Sequence, residues 1–102
     1  GDWNQCPPDF APDTFSELPS ENFTANSIND NYLPKTWWWV YDPSNPTSRY
    51  LNKPYKKGET AVTILDFFLV SPNIEVTEIK TPDLQFENSD HNPVKITIKL
   101  KP

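Results

Sequence analysis

Proline is the residue that most limits what this chain can fold into. Twelve prolines are spread over 102 residues that hold only two glycines. Each proline fixes φ and removes a backbone donor, so the chain is broken every few positions. A helix bundle, a coiled coil and a transmembrane span are excluded on that ground. Short strands joined by irregular loops remain. The length suits one small domain, and the hydrophobic share of 35% falls below the roughly 45–50% of an average soluble domain, so its core is expected to be lean.

Charge narrows the function classes. Nine basic and fourteen acidic side chains leave a net charge of -5, which argues against binding nucleic acid by general electrostatic attraction. The single Cys6 cannot build a disulfide framework and reads as an inert, buried thiol. No leader-like or lipidation pattern is legible in these residues, and the compartment stays open.

Along the chain, residues 5–34 are polar and proline-punctuated, with room for a turn or two of helix at 14–18 or 21–26. Residues 36–41 form an aromatic and β-branched run closed by Asp42-Pro43, the pattern of a strand buried on both faces. Residues 42–59 then make a long connection carrying Arg49, Lys53, Lys56 and Lys57. Residues 61–70 are the most apolar run, without alternation, and read as one central strand covered on both faces. Residues 74–79 read as a further strand. In the last strand Val94, Ile96, Ile98 and Leu100 alternate with Lys95, Thr97, Lys99 and Lys101, which predicts one wet face.

Three polar groups stand out against this pattern. Asp66 lies inside the most apolar run, where an ionised carboxylate needs a cation, a metal or strong donors, or else an exposed strand end. His91, the only histidine, sits in the turn Ser89-Asp90-His91-Asn92-Pro93 before the last strand. A lone loop histidine is ordinarily inert, but the strand carrying Asp66 is able to set that carboxylate against its ring, fixing the tautomer and favouring the protonated form. Asp2 and Asn4 are two residues apart, so at a strand end both side chains would project to one side. One would orient and deprotonate a water while the other donates to a developing oxyanion; taken alone, an Asp-x-Asn triplet reads as a solvated turn.

Together, Gly1-Asp2-Trp3-Asn4, the strand Ile64-Leu65-Asp66-Phe67-Phe68-Leu69-Val70-Ser71 and the turn Ser89-Asp90-His91-Asn92-Pro93-Val94 closely resemble the C-terminal half of the endonuclease/exonuclease/phosphatase superfamily. Abasic-site endonucleases, pancreatic-type deoxyribonucleases, inositol polyphosphate 5-phosphatases and bacterial sphingomyelinases belong to it. Its usual elements are G-D-x-N, x-D-(aromatic)-x-x-x-S and S-D-H-x-P-(V/I), and the resemblance spans residues 1–102.

The resemblance implies an α/β, strand-rich fold, the C-terminal half of a four-layer α/β sandwich. It implies a metal-dependent phosphoesterase acting on phosphodiesters or phosphomonoesters, with a nucleic acid or a small phosphoester as substrate. Asp2 would position or activate the attacking water, and Asn4 would bind the phosphate beside it. His91 would donate to a scissile phosphate oxygen, and Asp66 would orient and charge it. Asp90 would ligate or organise Mg²⁺, with Mn²⁺ as the usual substitute. The principal metal-binding glutamate would belong to an N-terminal half not contained in these residues, so the chain alone is expected to be inactive or nearly so. Half a sandwich would also expose apolar surface and tend to dimerise, aggregate or pair with that missing half.

The cations Arg49, Lys53, Lys56 and Lys57 are candidates for a second phosphate of the substrate, and are otherwise a solvated basic loop. Trp37, Trp38 and Trp39 are candidates for a stacking platform, and are otherwise core. The alternative from another class is a non-catalytic binding or assembly module that keeps the fold and its motifs; a third is an unrelated small β-rich binding domain, which would require three coincidental motifs in the right order.

Overall fold

The apolar run at 61–70 organises the fold, but as three short pairings and not as one strand. The computed structural model describes residues 1–15, 26–29, 31, 33–49, 55–57 and 60–102. Six strands appear among them: β1 (Trp38–Val40), β2 (Ser48–Arg49), β3 (Val62–Thr63), β4 (Phe68–Val70), β5 (Ile74–Lys80) and β6 (Lys95–Leu100). They form three two-stranded sheets, β1 with β4, β2 with β3 and β5 with β6, all antiparallel. Thr63 faces Ser48, Asp66 faces Asp2 in an isolated bridge, and Leu69 faces Trp39. Three segments far apart in sequence thus dock on one ten-residue run.

This arrangement corrects the expectation of an α/β fold built as the C-terminal half of a four-layer sandwich. Among the described residues there is no helix, and the protein is a small β domain. Its Cα envelope measures 47 × 28 × 16 Å. With sheets packing about 10 Å apart, the short axis holds about two layers. The physical reason is the one already visible in the proline spacing: segments this short cannot build helices that cover a sheet. Thr14 and Phe15 lie in a turn, and the remainder of the two suggested helical turns, apart from Asn26, falls outside the described residues. None of the described helices, there being none, could cross a membrane.

The core is small, as composition required. Cys6, Phe10, Ile64, Leu65 and Phe67 form its centre, with Phe15, Ile28, Trp39 and Tyr41 packed against it. Phe67 is fully buried and packs against two indoles, which meet each other edge-on with centroids 4.9 Å apart. Trp3 stacks on it with ring centroids 5.7 Å apart, and Trp39 meets it edge-on at 5.5 Å. Such aromatic contacts add about 0.5–1.5 kcal/mol each beyond area burial. The Cys6 thiol is buried against Thr63 Oγ1 at 3.2 Å, and burial pushes its pKa up, as expected of an inert thiol.

The aromatic strand does not meet the expectation of burial on both faces. Val40 is buried and Trp39 packs on the core from the other face, but Trp38 is 47% exposed, so the face that Trp38 shares with Val40 is covered only at its Val40 end.

β5 and β6 form a long antiparallel ribbon with a bulge between Val76 and Glu78. Ile74, Val76 and Ile79 pair with Leu100, Ile98 and Ile96, which puts the apolar residues on one face, as the alternation in β6 predicts. That face is nonetheless largely open, with Ile98 50% and Leu100 71% exposed. The connection 81–94 returns from the ribbon to the body of the domain and carries His91. Asp42 holds its start: the carboxylate accepts from Thr81 N at 2.8 Å and from Ser44 N at 2.9 Å.

Candidate active site

Two buried side chains that carry no titratable group assemble the site. Thr47, 1% exposed, accepts at its Oγ1 from Leu65 N at 2.9 Å and Asp66 N at 3.0 Å. Its backbone oxygen accepts from Asn92 N at 2.8 Å. One residue therefore ties the Asp66 segment to the His91 segment. Asn92, 3% exposed, donates from Nδ2 to Pro46 O at 3.0 Å and accepts Phe86 N at Oδ1 at 3.4 Å. Ser48 then pairs with His91 as it does with Thr63, and Arg49 N donates to Asp90 O at 3.0 Å.

These bonds leave Asp66 and His91 facing each other. His91 Nδ1 lies 2.7 Å from Asp66 Oδ2, a distance expected when a ring N–H donates to a carboxylate. That assigns the proton to Nδ1 and turns Nε2 toward Asp2 and Asp90, whose Oδ2 atoms are each 3.9 Å away. Partial burial pulls the His91 pKa down. The hydrogen bond and charge of Asp66, with the charges of Asp2 and Asp90, outweigh it and raise the pKa above its ordinary 6.5. Protonated, His91 presents a second N–H at Nε2 into the space it shares with two carboxylates. The anomaly of a carboxylate inside the apolar run is thus resolved by a ring 25 positions away.

Asp2 reaches the site through backbone pairing. Trp3 N donates to Leu65 O at 2.9 Å, Phe67 N donates to Gly1 O at 3.1 Å, and the Trp3 indole donates to Phe67 O at 3.0 Å. Its side chain is half exposed, at 52%, and so is open to water. Asn4 departs from the strand-end reading and meets the turn one. Its φ of 54° takes it out of the strand into a left-handed turn. Its backbone N–H donates to Asp2 Oδ1 at 2.9 Å. Asn4 thus steadies Asp2 through its backbone, because the strand ends before alternation can align the two side chains.

Two acidic side chains and the His91 ring form the cluster nearest to a cation-binding set among the described residues. Ligand atoms of Asp2, Asp66 and His91 lie within 4.8 Å of one another, but the Nδ1 of His91 is committed to Asp66. What remains is carboxylate oxygen from Asp2 and Asp90 around Nε2. Asp90 falls outside that 4.8 Å cluster, so within it the uncommitted carboxylate is that of Asp2; a hard oxygen donor of this kind suits Mg²⁺, which binds through one or two carboxylates and keeps waters and substrate phosphate oxygens as its other ligands.

Of the loop cations, Arg49 lies in β2 beside Asp90, while Lys56 and Lys57 are exposed in a turn closed by the Thr60 N to Lys56 O bond of 2.9 Å. Lys53 lies outside the described residues. The positioning role of Thr47 had no sequence signal, since it stands in a long proline-broken connection. Asn92 had a weak one, its place in the Ser-Asp-His-Asn-Pro turn.

No family model matches the chain, and neither a curated protein nor a solved structure matches it.

Proposed function

We propose that this chain supplies catalytic side chains of a divalent-metal-dependent phosphoesterase. The observation that carries the reading is the 2.7 Å Asp66–His91 bond aiming Nε2 at a space flanked by Asp2 and Asp90. The resemblance to the endonuclease/exonuclease/phosphatase superfamily supports it through the same residues. In this reading, protonated His91 donates from Nε2 to a non-bridging phosphate oxygen, and Asp66 keeps the ring oriented and charged. Asp2, open to solvent, orients the attacking water and accepts its proton as the new P–O bond forms. The P–O bond to the alcohol breaks opposite, and the departing oxygen takes a proton from solvent. Mg²⁺, or Mn²⁺ in its place, held by Asp90 with Asp2 beside it, would supply positive charge against the phosphate oxygens.

The test is hydrolysis of bis-p-nitrophenyl phosphate by the natural full-length protein in Mg²⁺ and after EDTA. Turnover should need the metal, and His91→Ala or Asp66→Asn should lower kcat by about a hundredfold or more with the circular dichroism spectrum unchanged. Turnover indifferent to EDTA, or near-normal turnover in His91→Ala, would refute the reading.

A further inference from the structure

A cleft of about 560 Å³ adjoins the dyad, with Asp66 and His91 at one side. That volume falls in the range of small-molecule sites, roughly 300–1,000 Å³. Its walls include Phe68, Leu84, Phe86, Pro93 and Val94, and among the described residues no lysine or arginine lines it. Its charged lining beyond the dyad is Glu87, which repels anions, and the Gly1 ammonium, which is tied to Phe67 O at 2.7 Å.

One wall is held against backbone preference. Gln85 and Phe86 both have φ of 53°, in the left-handed region that side chains disfavour, at about 1–3 kcal/mol each. The bond from Phe86 N to Asn92 Oδ1 and the edge-on packing of Tyr55 on Phe86 at 4.9 Å sustain that turn. It keeps Leu84 52% exposed at the mouth of the cleft. Asn92, which steadies this wall, is the chain neighbour of His91, so the wall and the dyad are placed by one residue pair.

We infer that this cleft holds the alcohol part of the phosphoester, and that this part is uncharged and apolar, of the size of a single aromatic ring or a short branched alkyl group. The inference rests on the phosphoesterase reading and names its substrate class. His91 and Asp66 themselves line the cleft, so a phosphoester held at His91 has the apolar walls within reach of its substituent. A nucleic acid strand would instead bring a second phosphate, which asks for cations, into a space lined by Glu87.

The test compares diphenyl phosphate with dimethyl phosphate, two monoanions that differ in the apolar part. Both are titrated into the protein by NMR, following the amides of Leu84, Phe86 and Val94. Diphenyl phosphate should bind at least tenfold more tightly and shift those amides. Leu84→Asp, at an exposed position that tolerates a charge, should abolish the preference. Val94→Asp is the second variant. Equal affinities, shifts confined to other residues, or a preference untouched by both variants would overturn the inference. So would faster turnover of a single-stranded oligonucleotide than of bis-p-nitrophenyl phosphate. Diphenyl phosphate bound in the cleft, with no ester hydrolysed in Mg²⁺ or Mn²⁺, would sink the phosphoesterase reading while leaving the apolar specificity of the cleft in place.

Discussion

Replacing Thr47 by valine should destabilise the domain and loosen the dyad at one stroke. Valine keeps the shape of threonine and removes the acceptor of two backbone donors, Leu65 N and Asp66 N. A buried donor left unsatisfied costs about 1–3 kcal/mol. Leu65 N is buried and should take that full cost, while Asp66 N is partly buried and water can recover some of it. The expected loss is about 2–4 kcal/mol, a large share of the roughly 5–15 kcal/mol that holds a domain together. Thr47→Ser is the control: it keeps the hydroxyl and loses one methyl, about 0.8 kcal/mol. Urea unfolding followed by tryptophan fluorescence measures both. In Thr47→Val the His91 pKa should also fall toward 6.5, because Asp66 is no longer held in place. Valine within about 0.5 kcal/mol of the parent protein, or serine as damaging as valine, would refute the claim that this hydroxyl organises the site.

Asp66→Asn removes the main groups that raise the His91 pKa, and a ¹H–¹⁵N NMR titration should show the pKa fall. In the parent protein the folded state favours protonated His91. Its contribution to stability is therefore fully present below pH 6.5 and is lost as pH rises through the higher folded-state pKa. A melting temperature with no such decline above pH 6.5 would contradict this. Asp42 shows the opposite sign. Partial burial raises its pKa, but bonds from Ser44 and Thr81 and the charge of Lys80 bring it below its ordinary 3.8. Its contribution is present above pH 3.8 and lost as pH falls through the lower folded value. Asp42→Ala should cost about 1–2 kcal/mol at pH 7 after allowing for solvent contact, and the cost should shrink as pH falls below 3.8, as measured by urea unfolding. Phe67→Ala should cost about 3–5 kcal/mol and shift tryptophan emission to the red, since Trp3 and Trp39 both lose the ring they pack on; unchanged emission would deny that packing.

The pairing of Asp66 with His91 was more legible than the scaffold that holds it. Asp66 announced itself because a carboxylate inside an apolar run is costly to leave alone, and His91 was the one ring able to answer it. Asn4 has left-handed φ, which fits the turn reading of Asp2-Trp3-Asn4 and not the strand-end one, because alternation stops once the strand does. The run at 61–70 was misread as one strand, since continuous burial looks the same whether one partner or three supply it. The cleft wall at 84–86 had no signature at all, as neither Gln85 nor Phe86 belongs to the residues that ordinarily adopt positive φ.

By itself the sequence determined what is local: where helices cannot form, which face of β6 is apolar, and which side chains are able to exchange protons or bind a cation. Those properties depend on residue type and on spacings of a few positions. Tertiary structure alone decided that residues 2, 66, 90 and 91 share one space, that Thr47 and Asn92 hold them there, and that an apolar cleft opens beside them. Such meetings depend on long-range pairing, because loop closure lets many partners meet at similar entropic cost. Only the hydrogen bonds and burial of the whole chain select among them.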